Sequence, residues 1–198
     1  DLFDVTLMPV TGEVEYGRGR LGDYSTGFWS EADRTQEVVE PGYYAVPLTR
    51  YNIYAEMTAT ERGGLHRYTF PASDDAAIIL DLVHGGCFDR PEDLYAEAVS
   101  DTRVVGRRHS WGWSNNQKVY FVIEFSKPFE KFEPIGEYGF YYRIHFKTEE
   151  GEQIGVKVAL SSTSPEGAEL NFNAEVKDKE FDTVRKEAYD KWNKEISK

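Results

Sequence analysis

Apolar and polar positions alternate in short runs over most of the chain, and the runs are separated by turn signals. Tyr51–Thr60 is the cleanest case, with Tyr51, Ile53, Ala55, Met57 and Ala59 on one face and Asn52, Tyr54, Glu56, Thr58 and Thr60 on the other. A period of two over ten positions predicts a half-buried strand. Asp4–Val10, Tyr43–Leu48 after the Pro41-Gly42 turn, Leu65–Phe70, Lys118–Phe125, Tyr138–Phe146 and Ile154–Ser161 read as further strands, rich in β-branched and aromatic residues. Ala76–Val83 is apolar without alternation, as a strand covered on both faces requires. Asp93–Ser100 and Thr102–Arg107 predict a hairpin, whereas residues 13–40 are polar, contain glycine and read as a long loop or ragged hairpin.

Beyond Ser161 the period changes. Ser164-Pro165-Glu166 is a helix start, with a serine cap and proline at the first helical position, and it predicts a short helix near 165–175. Phe181, Val184, Ala188, Trp192 and Ile196 then recur at helical spacing as one apolar stripe, which must pack on the strands or on something that follows. Roughly ten closely spaced strands without long helices between them predict a mainly β chain, an antiparallel β-sandwich with one short helix and a C-terminal amphipathic helix.

Composition narrows the partners. With 23 Lys and Arg against 35 Asp and Glu, the net charge is −12. That argues against nucleic acid and anionic membrane surfaces, which need basic stripes. No run of about 18 apolar residues is present to span a membrane. The single cysteine, Cys87, allows no internal disulfide and reads as a small buried hydrophobe. Aromatic residues make up 15%, a proportion that suits both cross-strand packing and flat sugar-stacking surfaces.

Candidate chemistry is sparse. Hydrolysis of a glycosidic bond with inversion needs two carboxyl groups about 6.5–9.5 Å apart across that bond. Acidic residues are plentiful, yet no pair stands out, so no catalytic residue is assigned. His66, His84, His109 and His145 have no metal-ligand spacing, and no metal ligand is assigned either. The serines lack a nucleophile elbow, and the Gly63-Gly64 and Gly85-Gly86 pairs lack a phosphate-loop pattern. One segment is unusual: Gly106–Gln117, GRRHSWGWSNNQ, read as a polar loop between strands. Trp111 and Trp113 there either stack on a sugar face, with Arg and Asn bonding its hydroxyls, or plug the end of the sandwich or pack on a neighbouring domain.

Several segments together resemble the N-terminal domain of glycoside hydrolase family 92, the calcium-dependent exo-acting α-mannosidases. They are Asp4-x-x-Leu7-Met8-Pro9, Glu40-Pro41-Gly42-Tyr43-Tyr44, Ala55–Thr60 with Arg62-x-Gly64-x-His66-Arg67-Tyr68-Thr69-Phe70-Pro71, Val119–Phe121 through Glu124–Phe129, Ser164-x-Glu166-Gly167-Ala168, and Trp192-Asn193. They run through nearly the whole chain in the family's order, and Ala55–Pro71 is the most specific. The resemblance implies a supersandwich domain over 1–176, a helical linker over 177–198, and an (α/α)6 catalytic barrel as its partner in the same polypeptide. It implies mannose-containing glycans as substrate and favours a secreted, periplasmic or cell-surface protein. It also places the acid and base carboxylates and the main calcium ligands on the barrel.

The sandwich then supplies loops to the cleft rim. The candidates are Asp1, Phe3 and Asp4 at the start, the loop with Trp111 and Trp113, and His66 with Arg67, which could equally be structural. One departure stands out. Family members often carry a Phe-Ser-His-Glu-type segment before the Pro-Gly-Tyr-Tyr turn, but here the region reads Ala32-Asp33-Arg34-Thr35-Gln36-Glu37, without the histidine. A stand-alone carbohydrate-binding sandwich using Trp111 and Trp113 is the competing reading. The terminal amphipathic helix and the start at Asp1 favour a part of something longer.

Overall fold

The computed structural model describes residues 4–20, 22–84, 89–136 and 139–198. Asp1, Phe3 and Cys87 lie outside the described residues. The described residues form β1 (Thr6–Thr11), β2 (Val38–Glu40), β3 (Tyr43–Leu48), β4 (Ile53–Ala59), β5 (Gly63–Phe70), β6 (Ser73–Asp81), β7 (Arg90–Ala98), β8 (Arg103–Trp111), β9 (Gln117–Phe125), β10 (Lys131–Ile135), β11 (Tyr141–Thr148), β12 (Glu152–Ser161), α1 (Pro165–Glu175) and α2 (Phe181–Ile196). Every strand pairing is antiparallel. One sheet has the order β1-β6-β11-β10, the other β2-β3-β4-β5-β12-β9-β8-β7. The chain is thus the mainly β sandwich that the alternation predicts.

The main core lies between the sheets. Leu80, Ile78, Ile144 and Phe146 of the small sheet meet Ile53, Tyr68, Phe121 and Ile123 of the large one. Ala76 to Leu80 are all fully buried, which explains their unbroken apolar run. The loop after β1 reaches the neighbouring strand β11, with Phe28 set edge-on to Tyr141 at 6.2 Å. Arg50 fixes that loop by donating to the carbonyls of Tyr24, Gly27 and Trp29 at 2.9–3.0 Å.

A second core covers the outer face of the large sheet. Ala168 and Phe172 of α1, its C-cap Val176 and Val184 of α2 pack on Leu65, Val122 and Ala159. The cap of α1 matches the sequence reading, because the Ser164 side chain accepts from the Gly167 amide at 3.0 Å. The stripe on α2 is used unevenly: Val184 is buried, but Trp192 and Ile196 are 56% and 68% exposed.

One reading is corrected, and two strands are added. Gly106–Trp111 is not loop but the second half of β8, and only residues 112–116 turn. Its inward positions are Val104, Gly106, Arg108 and Ser110, of which Arg108 and Ser110 are buried polar residues. Buried ion pairing holds Arg108 where an apolar side chain would otherwise sit, so the segment reads as polar. β2 falls at the end of the stretch 13–40 read as a long loop or ragged hairpin, and β10 lies in a stretch to which the sequence reading assigns no element. Both are short edge strands, and Pro134 is tolerated in β10 because an edge needs no further donor on that side.

Candidate functional site

β1, β6, β8 and β9 bring one group of side chains to a common end of the sandwich. Its centre is Arg108, which is completely buried. Its Nε donates to the Leu82 carbonyl at 2.9 Å, where β6 ends. Its Nη1 donates to Asp4 Oδ1 at 2.7 Å and to Asp89 Oδ2 at 2.6 Å. Gln117, at the start of β9, donates from Nε2 to the same Asp4 oxygen at 2.7 Å. One guanidinium therefore ties β8 to Asp4, Leu82 and Asp89, and its fork suits several oxygens at once. Burial opposes the charge on Asp89 most strongly, but the hydrogen bond and charge of Arg108 together with Ser110 outweigh it and hold that carboxyl below the usual range.

The hairpin above this anchor carries the tryptophans. Trp111 closes β8 at 44% exposure, with the Arg90 guanidinium 5.5 Å from its ring centre. Trp113 sits in the turn and is 86% exposed. A side chain on Gly112 would come within 2.8 Å of the Asp89 backbone, so the hairpin lies directly on Asp89. Trp113 neither plugs the sandwich nor packs on it: its ring offers a flat apolar face to solvent.

A second cluster, missed in the sequence, stands where β6 ends. Asp81, 1% exposed, accepts from the Val83 and His84 amides at 2.8 and 3.1 Å, and its other oxygen lies 3.0 Å from His84 Nδ1. Tyr141 Oη is 3.3 Å from the same nitrogen, and Arg18 Nη2 donates to the His84 carbonyl at 2.9 Å. The Asp-x-x-His spacing was the one available signal.

His66 and Arg67 do not join this group. His66 pairs with Val156, which pairs with Phe125, at the opposite end of β9 from Gln117. Eight residues of strand correspond to roughly 27 Å. His66 faces the sheet interior, with Nδ1 2.6 Å from Tyr68 Oη, and desolvation brings its imidazole down to about 4. Arg67 points the other way and holds α2. It donates to both oxygens of Glu56 at 2.7 Å and to Asp182, with its guanidinium 4.3 Å from the Phe181 ring centre. Where the family's histidine segment is missing, Asp33 instead caps a local turn through Thr35 and Gln36.

The carboxylates near the rim are committed to cations or amides. Asp4 and Asp89 serve Arg108, Asp81 serves the β6 end, and Asp93 binds Arg107 at 2.6 Å, which lowers its pKa. Among the described residues no three His, Cys, Asp or Glu side chains converge as a metal site, so the calcium that the resemblance implies has no such set of ligands there. Among them too, no helix is long and apolar enough to cross a membrane.

The family model of the glycosyl hydrolase family 92 N-terminal domain matches residues 1–161. The family GH92 α-mannosidase BT3965 from Bacteroides thetaiotaomicron is similar at 30% identity and a TM-score of 0.91, over 100% of this chain and 29% of that one. Its complex with mannoimidazole gives the same identity and score, over 28% of that chain. The family GH92 inverting mannosidase BT2199 from Bacteroides thetaiotaomicron VPI-5482 shares the fold at 24% identity and a TM-score of 0.77, over 96% of this chain and 26% of that one. None of the curated proteins compared matches. The chain spans less than a third of the length of these solved mannosidases. By its family match over residues 1–161, the chain belongs to glycosyl hydrolase family 92, as the N-terminal domain of that family.

Proposed function

We propose that the chain is the cleft-shaping N-terminal part of an inverting, calcium-dependent α-mannosidase acting on α-linked mannose of glycans. In this reading 177–198 links the sandwich to a following (α/α)6 domain, which carries the acid, the base and the calcium ligands. The sandwich alone then hydrolyses nothing. A general acid needs a carboxyl whose pKa is raised towards the working pH. Asp89 and Asp93 are instead lowered by their arginines.

The observation that carries the reading is the exposed tryptophan hairpin seated on a buried ion-pair anchor. A mannose ring presents an apolar face that Trp113 can cover, and a rigid seat lowers the entropic cost of ordering that contact. The similar α-mannosidase BT3965 has been solved in complex with mannoimidazole, which supports a mannose substrate for this chain's full-length polypeptide. Trp113→Ala in the full-length polypeptide tests it. The expected result is a fall in kcat/KM for an α-mannoside of about tenfold, the scale of one lost stacking contact of roughly 1.4 kcal/mol, with little change in melting temperature. Unchanged kinetics with a lowered melting temperature would assign Trp113 to packing instead.

A further inference from the structure

His84 is bonded in a way that fixes which of its ring nitrogens carries the proton. As a carboxylate, Asp81 only accepts hydrogen bonds, and its Oδ2 is 3.0 Å from His84 Nδ1. The neutral imidazole therefore carries its proton on Nδ1 and leaves Nε2 as a lone-pair acceptor. Tyr141 Oη, at 3.3 Å from Nδ1, fits beside that bond as a second acceptor. The ring bonds among the described residues are all at Nδ1. Asp81 itself is 1% exposed and held by the Val83 and His84 amides, so the pair does not rotate freely. The His84 side chain, by contrast, is 38% exposed. It also lies two residues from Leu82, whose carbonyl receives Arg108, so it shares the sandwich end that holds Asp4 and the tryptophan hairpin.

We propose that His84 is a substrate-binding residue of the rim, its Nε2 accepting a hydrogen bond from a sugar hydroxyl, with Asp81 as the positioning residue that holds the proton of the neutral ring on Nδ1. This rests on the mannosidase reading above. The arrangement gives the rim an acceptor to set beside the apolar face of Trp113, and a hydroxylated ring needs both.

Asp81→Asn tests the geometry sharply. Oδ1 accepts two backbone amides at 2.8 and 3.1 Å, closer than the Arg18 Nε that faces Oδ2 at 3.5 Å, so the asparagine oxygen stays there and its NH2 takes the place of Oδ2. That NH2 donates to Nδ1 and moves the imidazole proton to Nε2, turning the outward acceptor into a donor. The experiment compares wild type, His84→Phe, His84→Gln and Asp81→Asn. Kinetics of α-mannoside hydrolysis are measured in the full-length polypeptide, and imidazole nitrogen shifts in the 198-residue chain.

In the expected result, His84→Phe and Asp81→Asn lower kcat/KM about tenfold, while His84→Gln, which keeps an acceptor near Nε2, stays within about threefold of wild type. The nitrogen shifts report the Nδ1–H form in wild type and the Nε2–H form in Asp81→Asn. Wild-type kinetics in His84→Phe would overturn the proposal while leaving the mannosidase reading intact. So would equal losses in His84→Phe and His84→Gln, or an Nδ1–H form persisting in Asp81→Asn. A wild-type polypeptide that hydrolyses no α-mannoside would remove the mannosidase reading and this inference with it.

Discussion

Arg108 and Asp4 are 104 positions apart in sequence, yet Arg108 Nη1 and Asp4 Oδ1 meet at 2.7 Å in an interior where the arginine is wholly covered. The chain entering β1 is thereby fastened to the strand that carries the tryptophan hairpin. Removing the arginine strands two carboxylates, Asp4 and Asp89, whose side chains are 12% and 9% exposed. Arg108→Ala is expected to destabilise the chain by about 3–5 kcal/mol. Arg108→Met, which restores volume but not charge, should lose nearly as much, because the cost lies in the unpaired carboxylates. The double variant Asp4→Asn, Asp89→Asn in the Arg108→Met background should recover part of it. Denaturant unfolding of the four proteins measures this, and no recovery would show that packing, not charge, sets the cost.

The attachment of α2 rests on Arg67. Glu56, 8% exposed at its side chain, accepts from Arg67 and from Tyr43 Oη at 2.8 Å. Burial opposes its charge, and the Arg67 and Tyr43 bonds reverse that and keep its pKa low. Arg67→Ala should cost about 3 kcal/mol, mostly from stranding Glu56, with Asp182 adding little because it is exposed. Amide exchange should quicken along 181–192 while β6 stays protected. Uniform quickening across both regions would mean that α2 is not a separable unit.

His66 gives a pH prediction. Desolvation lowers its imidazole from the ordinary 6.5 to about 4. The unfolded chain therefore takes up this proton first as pH falls. The stability from the neutral buried ring is fully present above about pH 6.5 and drains as pH drops towards 4. In an NMR titration the His66 ring should stay neutral through pH 5, with its midpoint near 4. A midpoint at the ordinary value would place the ring in solvent, against the packing seen with Tyr68.

Much of this was legible in the chain, and the exceptions share a cause. Tyr51–Thr60 announces its faces because its inward side chains are apolar. Ser164-Pro165 announces α1 because a cap is local chemistry. Arg108 could not be read so, since a buried arginine looks like a surface one until its partners arrive from Asp4, Leu82 and Asp89. Edge strands β2 and β10 bury little and carry weak alternation. The family resemblance pointed to the Trp111–Trp113 segment and to Asp4, which the fold brings to one end. It could not separate them from His66 and Arg67, because a motif within one strand does not say which face, or which end of the sheet, a side chain serves. The Asp81–His84 pair went unnoticed because a three-residue spacing at a strand end has no periodic signature.

The central claim is that this domain shapes a mannosidase cleft whose reacting carboxylates lie elsewhere in the polypeptide. The most direct test is calcium-dependent release of mannose from α-1,2-mannobiose by the full-length polypeptide, with the 198-residue chain assayed beside it. The account predicts release by the full-length polypeptide, lost on chelation of calcium, and none by the chain alone. Turnover by the 198-residue chain, abolished by replacing one of its own carboxylates, would contradict it. So would a full-length polypeptide that releases no mannose while the chain alone binds a glycan.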